Sequence, residues 1–261
     1  MKKYFLIFLS AGYFTAGAQT KSKSLEGALT HPAEVTELNL NGSHERKALP
    51  ADIAKLTNLK ILKLYGCSLE TICPEIGQLK NLGVLDLGGN YLKTLPAEIG
   101  NLPKLKELNL KRNGLTELPE EIGNLAGLTN LDLSYNKITS LPLGFYMLKN
   151  LVILNLEWNE IKYLSQQVKE LSKLELMSLS NNKLESLPDS LWFTPKLYTL
   201  NLYKCGAMLS IPKNFCDVPL AFSTVERSVI IDKWHLPGSF IFPSCSYVNG
   251  IRKGWLIKTM D

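Results

Sequence analysis

Residues 82–104 read LGVLDLGGNYLKTLPAEIGNLPK and residues 105–127 read LKELNLKRNGLTELPEEIGNLAG. Aligned, the two lines place leucine at the same points, at 82, 85, 87, 92, 95 and 102 and again at 105, 108, 110, 115, 118 and 125. Asn90 falls over Asn113, Pro96 over Pro119 and Ile99 over Ile122. Self-similarity at a fixed period of this size marks a stacked repeat architecture. The same pattern runs on through 128–150, 151–173 and 174–196, and upstream through 59–81, where Cys67 replaces the asparagine. Units at 35–58 and 197–220 fit if each carries one extra residue, which makes eight in tandem.

Each part of the unit has a physical reading. Leucines two apart, as in Leu85-Asp86-Leu87, share one face of a strand. The segment after Leu-Pro, such as Glu120 to Leu125, has apolar residues three apart and suits a short helix or helical turn. One such strand cannot bury its leucines alone, whereas stacked units form a continuous core. Every return path passes through the outer segment, so parallel strands are expected, and eight of them at roughly 4.8 Å make an inner sheet about 35–40 Å across. The asparagines at 90, 113, 136, 159 and 182 stand where the chain turns inward after the strand. Their amides can bond backbone groups left unpaired by the turn, a structural role.

This chain resembles the leucine-rich-repeat family, in particular the 23-residue type with a Leu-Pro step in mid-repeat, and resembles its exported bacterial members. The resemblance covers residues 35 to 220. It implies an α/β fold: a right-handed solenoid with a parallel sheet on its concave face and short helices or turns on its convex face. It also implies a non-catalytic, protein-binding function for the concave face. Cysteine is a familiar substitute in the asparagine column, which covers Cys67 and Cys205.

The flanks read differently. Met1-Lys2-Lys3 followed by an apolar run to Ala18, closing on Ala16-Gly17-Ala18, has the form of a secretory signal peptide. The run is too short to span about 30 Å of hydrocarbon as a helix. Export is therefore expected, to the periplasm, the cell surface or the medium, with no membrane span in the mature chain. Residues 19–34 are expected to hold a disordered linker (Gln19 to Lys23) and a short capping helix, Ser24 to Thr30, with Ser24 as N-cap. Leu25, Ala28 and Leu29 should cover the first repeat. Past Leu220 the period stops, and residues 221–261 are expected to form a C-terminal cap. Within it Asn249-Gly250, between Tyr247-Val248 and Ile251, signals a hairpin.

Several functions are disfavoured by composition. The formal charge of +5 falls to +3 without Lys2 and Lys3 and is dispersed, so nucleic acid is not an expected partner. No nucleophile elbow, zinc-protease helix, P-loop or dinucleotide fingerprint occurs, so no catalysis, cofactor or metal is expected. His31, His44 and His235 are scattered. Of five cysteines, Cys216 and Cys245 could form a bridge fastening cap to solenoid in an oxidising compartment, with Cys205 a rival partner.

Partner choice must lie in the variable positions between the leucines. The eighth place of each unit runs Gly66, Gly89, Arg112, Tyr135, Trp158, Asn181, Lys204, and the seventh contributes Tyr65, Lys111, Glu157 and Tyr203. Arginine, tyrosine and tryptophan dominate interface hot spots. Arg112, Tyr135 and Trp158, with Lys111, Glu157, Tyr65, Asn181 and Tyr203, are therefore the expected partner site on the concave face. Gly88 and Gly89 should open a shallow dip beside it. The alternative for the ridge is a cation–π ladder that only protects the sheet. The partner is expected to be a protein, peptide or surface glycan, and the chain a monomer. The competing functions are a structural or adhesive envelope component and an effector delivered to another cell.

Overall fold

The structure, a computed structural model, describes residues 20–44 and 46–206 and the backbone of four further segments within 227–260. Eight short strands recur at the repeat spacing: β2 (Val35–Asn39), β3 (Ile61–Lys63), β4 (Val84–Asp86), β5 (Glu107–Asn109), β6 (Asn130–Asp132), β7 (Ile153–Asn155), β8 (Leu176–Ser178) and β9 (Thr199–Asn201). All pair in parallel and in register, so that Leu62, Leu85, Leu108, Leu131, Leu154, Met177 and Leu200 form one row. That row points into the solenoid and is wholly buried. The expected leucine-rich-repeat solenoid with a parallel sheet is what the chain forms.

The sheet is longer than the repeats. At its start β1 (Thr20–Ser22) pairs in parallel with β2, which corrects the expectation of a disordered linker. Without β1 the outer edge of β2 would leave its backbone groups unpaired. Lys21 Nζ adds an ion pair with Glu37 at 2.9 Å. At the far end β10 (Arg227–Asp232) pairs with β9 and then with β13 (Trp255–Met260), both in parallel. The hairpin also forms: β11 (Tyr247–Val248) and β12 (Ile251–Arg252) pair antiparallel around Asn249-Gly250. The signal segment, Cys216 and Cys245 lie outside the described residues.

Helix α1 (Leu25–Thr30) has the expected N-cap, Ser24 Oγ accepting from Gly27 N at 3.0 Å. Its Leu25 and Ala28 are buried and Leu29 packs partly on the core.

Among the described residues the convex side is made of five-residue 3-10 turns, from Ala51–Lys55 to Asp189–Phe193. In most repeats the proline of the Leu-Pro step precedes the turn in extended conformation, as at Pro96 and Pro119. Successive turns approach closely through a glycine column. A Cβ on Gly100 would lie 2.2 Å from the Glu121 carbonyl oxygen, and one on Gly123 2.1 Å from that of Gly144. After Gly123 the column changes to Tyr146, which is fully enclosed and stands edge-on to Phe145. Its hydroxyl accepts from Ser165 N at 3.1 Å. Ser165 occupies the proline position of its own unit, and a proline there would have no N–H to give.

The asparagine column behaves as expected. Asn136 Nδ2 donates to the carbonyls of Leu110 (3.0 Å) and Leu133 (2.9 Å), and its Oδ1 accepts from Leu115 N at 3.1 Å. Asn90, Asn113, Asn159 and Asn182 repeat this ladder. Cys67 copies the cross-repeat bond, its thiol donating to the Leu40 carbonyl at 3.0 Å. Burial pushes that thiol's pKa up, which keeps the proton it donates.

Candidate functional site

The concave face divides into a floor and a rim. Third- and fifth-place side chains stand on the strands and form the floor, where Val84, Asp86, Glu107, Asn130, Asp132 and Ile153 line a basin of about 420 Å³. Place three was expected to face outward, since leucines at places four and six imply that three and five face the other way, but none of its residues was among the expected site residues. The fifth column is less available than its polarity suggests. Oδ1 of Asp86, Asn109, Asp132 and Asn155 each accepts the backbone N–H two residues on, at 2.9–3.1 Å, which turns the chain out of the strand.

That turn builds the rim. The eighth-place residue lies three positions beyond the strand rather than near its centre, so the expected ridge borders the concave floor instead of rising from it. From Gly42 to Lys204 every eighth-place residue has φ between 50° and 74°. Glycine adopts this left-handed region freely, and here Arg112 (55°), Tyr135 (57°), Trp158 (54°), Asn181 (56°) and Lys204 (50°) are held in it as well. What holds them is a second backbone ladder. From Gly42 to Asn181 each eighth-place N–H donates to the seventh-place carbonyl of the next repeat, among them Gly89 to Lys111, Arg112 to Ser134, Tyr135 to Glu157, Trp158 to Ser180 and Asn181 to Tyr203, all at 2.8–2.9 Å.

The structure brings Lys111, Arg112, Tyr135 and Trp158 together. The Arg112 guanidinium lies 5.1 Å from the Tyr135 ring centre and Lys111 Nζ 5.5 Å from it. The Tyr135 and Trp158 rings stack at 5.5 Å with 13° between planes. Trp158 is 50% exposed and Tyr135 38%.

The other expected site residues stand apart. Tyr65 lies over the two glycines of the next repeat, so that a Cβ on Gly88 would be 2.9 Å from its ring and one on Gly89 3.2 Å. The expected dip at Gly88-Gly89 is therefore filled, because a ring two repeats from Lys111 finds bare backbone to rest on. Glu157 accepts from Ser178 Oγ at 2.5 Å and from Asn201 Nδ2 at 3.5 Å. Tyr203 carries Lys204 Nζ 5.1 Å from its ring centre. Asn181 makes no side-chain hydrogen bond among the described residues.

These contacts follow an alternation in the seventh column, large then small: Tyr65, Gly88, Lys111, Ser134, Glu157, Ser180, Tyr203. The three small members are buried. Tyr65, Lys111 and Glu157 each lean toward the following repeat, across its small residue.

Charge on the concave face is segregated. Asp86, Glu107, Asp132 and Glu157 form no salt bridge among the described residues, whereas Glu37 pairs with Lys21 and Lys63, and Glu160 with Lys183. Among the described residues no three metal-ligand side chains cluster, and no helix is long and apolar enough to cross a membrane.

Comparison with known proteins agrees with this geometry. A leucine-rich-repeat region model matches residues 97–182, and leucine-rich-repeat models match 57–115 and 173–193. A search of curated proteins finds no match. Among solved structures, a leucine-rich-repeat protein of Leptospira interrogans superposes with a TM-score of 0.63 at 31% identity over 76% of this chain. The chain spans 61% of that protein's length. Repeat period, sheet register, asparagine ladder and these matches converge, and the chain is a leucine-rich-repeat protein.

Proposed function

We propose that the chain is a non-catalytic recognition protein that holds a protein or peptide partner against the concave floor and the Arg112–Tyr135–Trp158 rim. Leucine-rich-repeat domains are in general protein-interaction modules and typically non-enzymatic. The observation that carries the reading is the positive φ shared by three bulky, solvent-facing residues. Side chains in this region are disfavoured by roughly 1–2 kcal/mol each relative to the right-handed form. The Tyr135–Trp158 stack returns about 0.5–1.5 kcal/mol, and an exposed cation over a ring about 0.5–1 kcal/mol. Mutual packing thus offsets part of the strain and does not by itself select these residues over the glycine found at 66 and 89. Strain retained at an exposed, hot-spot-like position points to function.

Export, proposed from residues 1–18, would set the encounter outside the cytoplasm. The test is affinity capture from the envelope and medium of producing cells, with the parent chain beside a variant in which Arg112, Tyr135 and Trp158 are alanine. Circular dichroism first establishes that both fold. A partner kept by the parent and lost by the variant supports the reading. A partner kept equally by both removes the rim from it.

A further inference from the structure

We propose that the open face of Trp158 is a subsite for an arginine side chain of the partner. This rests on the reading of the rim as a partner surface and adds the chemistry that the surface selects.

Within the rim, Tyr135 is covered on both sides, by Lys111 and Arg112 on one and by Trp158 on the other. Among the described residues Trp158 is covered on one side only. Its other face looks along the column toward Asn181, placed one strand on by the pairing of Asn155 with Ser178. Asn181 is short, and among the described residues no ring or cation approaches Trp158 from that direction. The next large groups are Tyr203 and Lys204, two repeats beyond Trp158, a separation of roughly 9–10 Å. Lys204 is itself drawn onto the Tyr203 ring. One rung of the ladder is therefore missing, and the gap suits a planar group lying flat on indole.

Charge complementarity selects which planar group. Glu157, the chain neighbour of Trp158, engages Oε1 with Ser178 and Asn201. Its Oε2 has no partner among the described residues. A guanidinium is planar, weakly hydrated and a strong stacker on tryptophan, and its N–H groups remain free to donate in the ring plane. It would stack on Trp158 while donating to Glu157 Oε2 and to the Asn181 amide oxygen. The ladder would then carry an arginine at both ends, Arg112 from the chain and one from the partner. A lysine ammonium cannot lie flat in such a gap, and a neutral ring leaves Glu157 unused.

The experiment needs no identified partner. The full chain, with nitrogen-15 tryptophan, is titrated with acetyl-Gly-Arg-Gly-amide while the indole Nε1–H resonances are followed. Trp158 is assigned by the signal lost in Trp158→Phe. Matched peptides carry citrulline, lysine or tyrosine, and methyl β-glucoside is a further arm. The expected result is a saturable shift of the Trp158 signal with the arginine peptide, at least five-fold weaker with lysine and absent with citrulline. Glu157→Gln should weaken arginine binding several-fold while the Trp158 signal stays at its folded position. No shift with arginine, an equal shift with citrulline, or a response to tyrosine or the glucoside in its place would overturn the proposal. If the capture experiment still loses its partner in the triple variant, the recognition surface stands and only the arginine assignment falls. If the peptide shifts Trp158 while capture is indifferent to the triple variant, the subsite stands and the rim as partner surface falls.

Discussion

The Trp158 ring lies flat against Tyr135, with centroids 5.5 Å apart, although both residues are held in the left-handed region at φ 54° and 57°. Two opposed contributions meet in that pair, and their sizes are similar. Trp158→Gly loses the stack, about 0.5–1.5 kcal/mol, and relieves about 1–2 kcal/mol of backbone strain. The expected net change in unfolding free energy is within about 1 kcal/mol of zero, read by urea denaturation, with partner capture lost. A loss above about 3 kcal/mol would mean that the ladder mainly holds the sheet together.

Gly100 and Gly123 should tolerate no side chain. Alanine at either would press a methyl group against backbone atoms of the next turn at 2.1–2.2 Å. Backbone on both sides cannot yield as a flexible side chain can, so a loss at the upper end of overpacking, about 2–3 kcal/mol, is expected. Gly83 is the control. A Cβ there would meet its nearest neighbour, the Lys60 carbonyl oxygen, at 3.6 Å, and Gly83→Ala should change stability by less than about 0.5 kcal/mol.

Restoring the repeat pattern at Ser165 should destabilise the protein. Ser165→Pro removes the N–H that the buried Tyr146 hydroxyl accepts, together with the Oγ that accepts from Gln167 N. Leaving a buried hydroxyl short of a partner costs about 1–3 kcal/mol. In a Tyr146→Phe background the same change should be milder by about 1 kcal/mol, a coupling that a double-mutant cycle measures. Additive effects would show that the bond contributes nothing.

Asn136→Ala strands the Leu115 N–H in a buried layer and takes one of two asparagine donors from each of the Leu110 and Leu133 carbonyls, which keep Asn113 and Asn159. A loss of about 1–3 kcal/mol is expected, the cost of one unsatisfied buried donor. Asn136→Cys should lose less, because Cys67 keeps the cross-repeat donation with a thiol. Equal losses would mean that this bond in the Cys67 repeat contributes little.

The fold was legible because its determinants recur. A leucine row and an asparagine column repeated at 23-residue spacing leave strand, turn and register little freedom, and the short helices followed from Leu-Pro and the inward Ile76, Ile99 and Ile122. The site was half legible. Arg112, Tyr135 and Trp158 could be named from residue type and register, but not their backbone conformation, since one bulky residue at positive φ has no local signature. The column did carry a hint: its other members include Gly42, Gly66, Gly89 and Asn181, types that favour φ above zero. Tyr65 over Gly88 was misread because two glycines suggest empty space until a neighbour's ring is known to lean that way. Strand β1 had no signal, Thr20-Lys21-Ser22 being polar throughout, and it is ordered by the edge of β2 rather than by its own composition.

The rim's backbone ladder makes its side chains exchangeable. Each eighth-place N–H is fastened to the following repeat whether the residue is Gly89, Arg112, Tyr135, Trp158 or Asn181, so the main chain offers a row of identical sockets. Gaining or losing one 23-residue unit would slide every later socket along by one place without recasting any of them. A single unit inserted between those of Tyr135 and Trp158 would part the two rings and leave the solenoid whole. Recognition in this architecture can thus be rewritten by counting units as readily as by substituting residues.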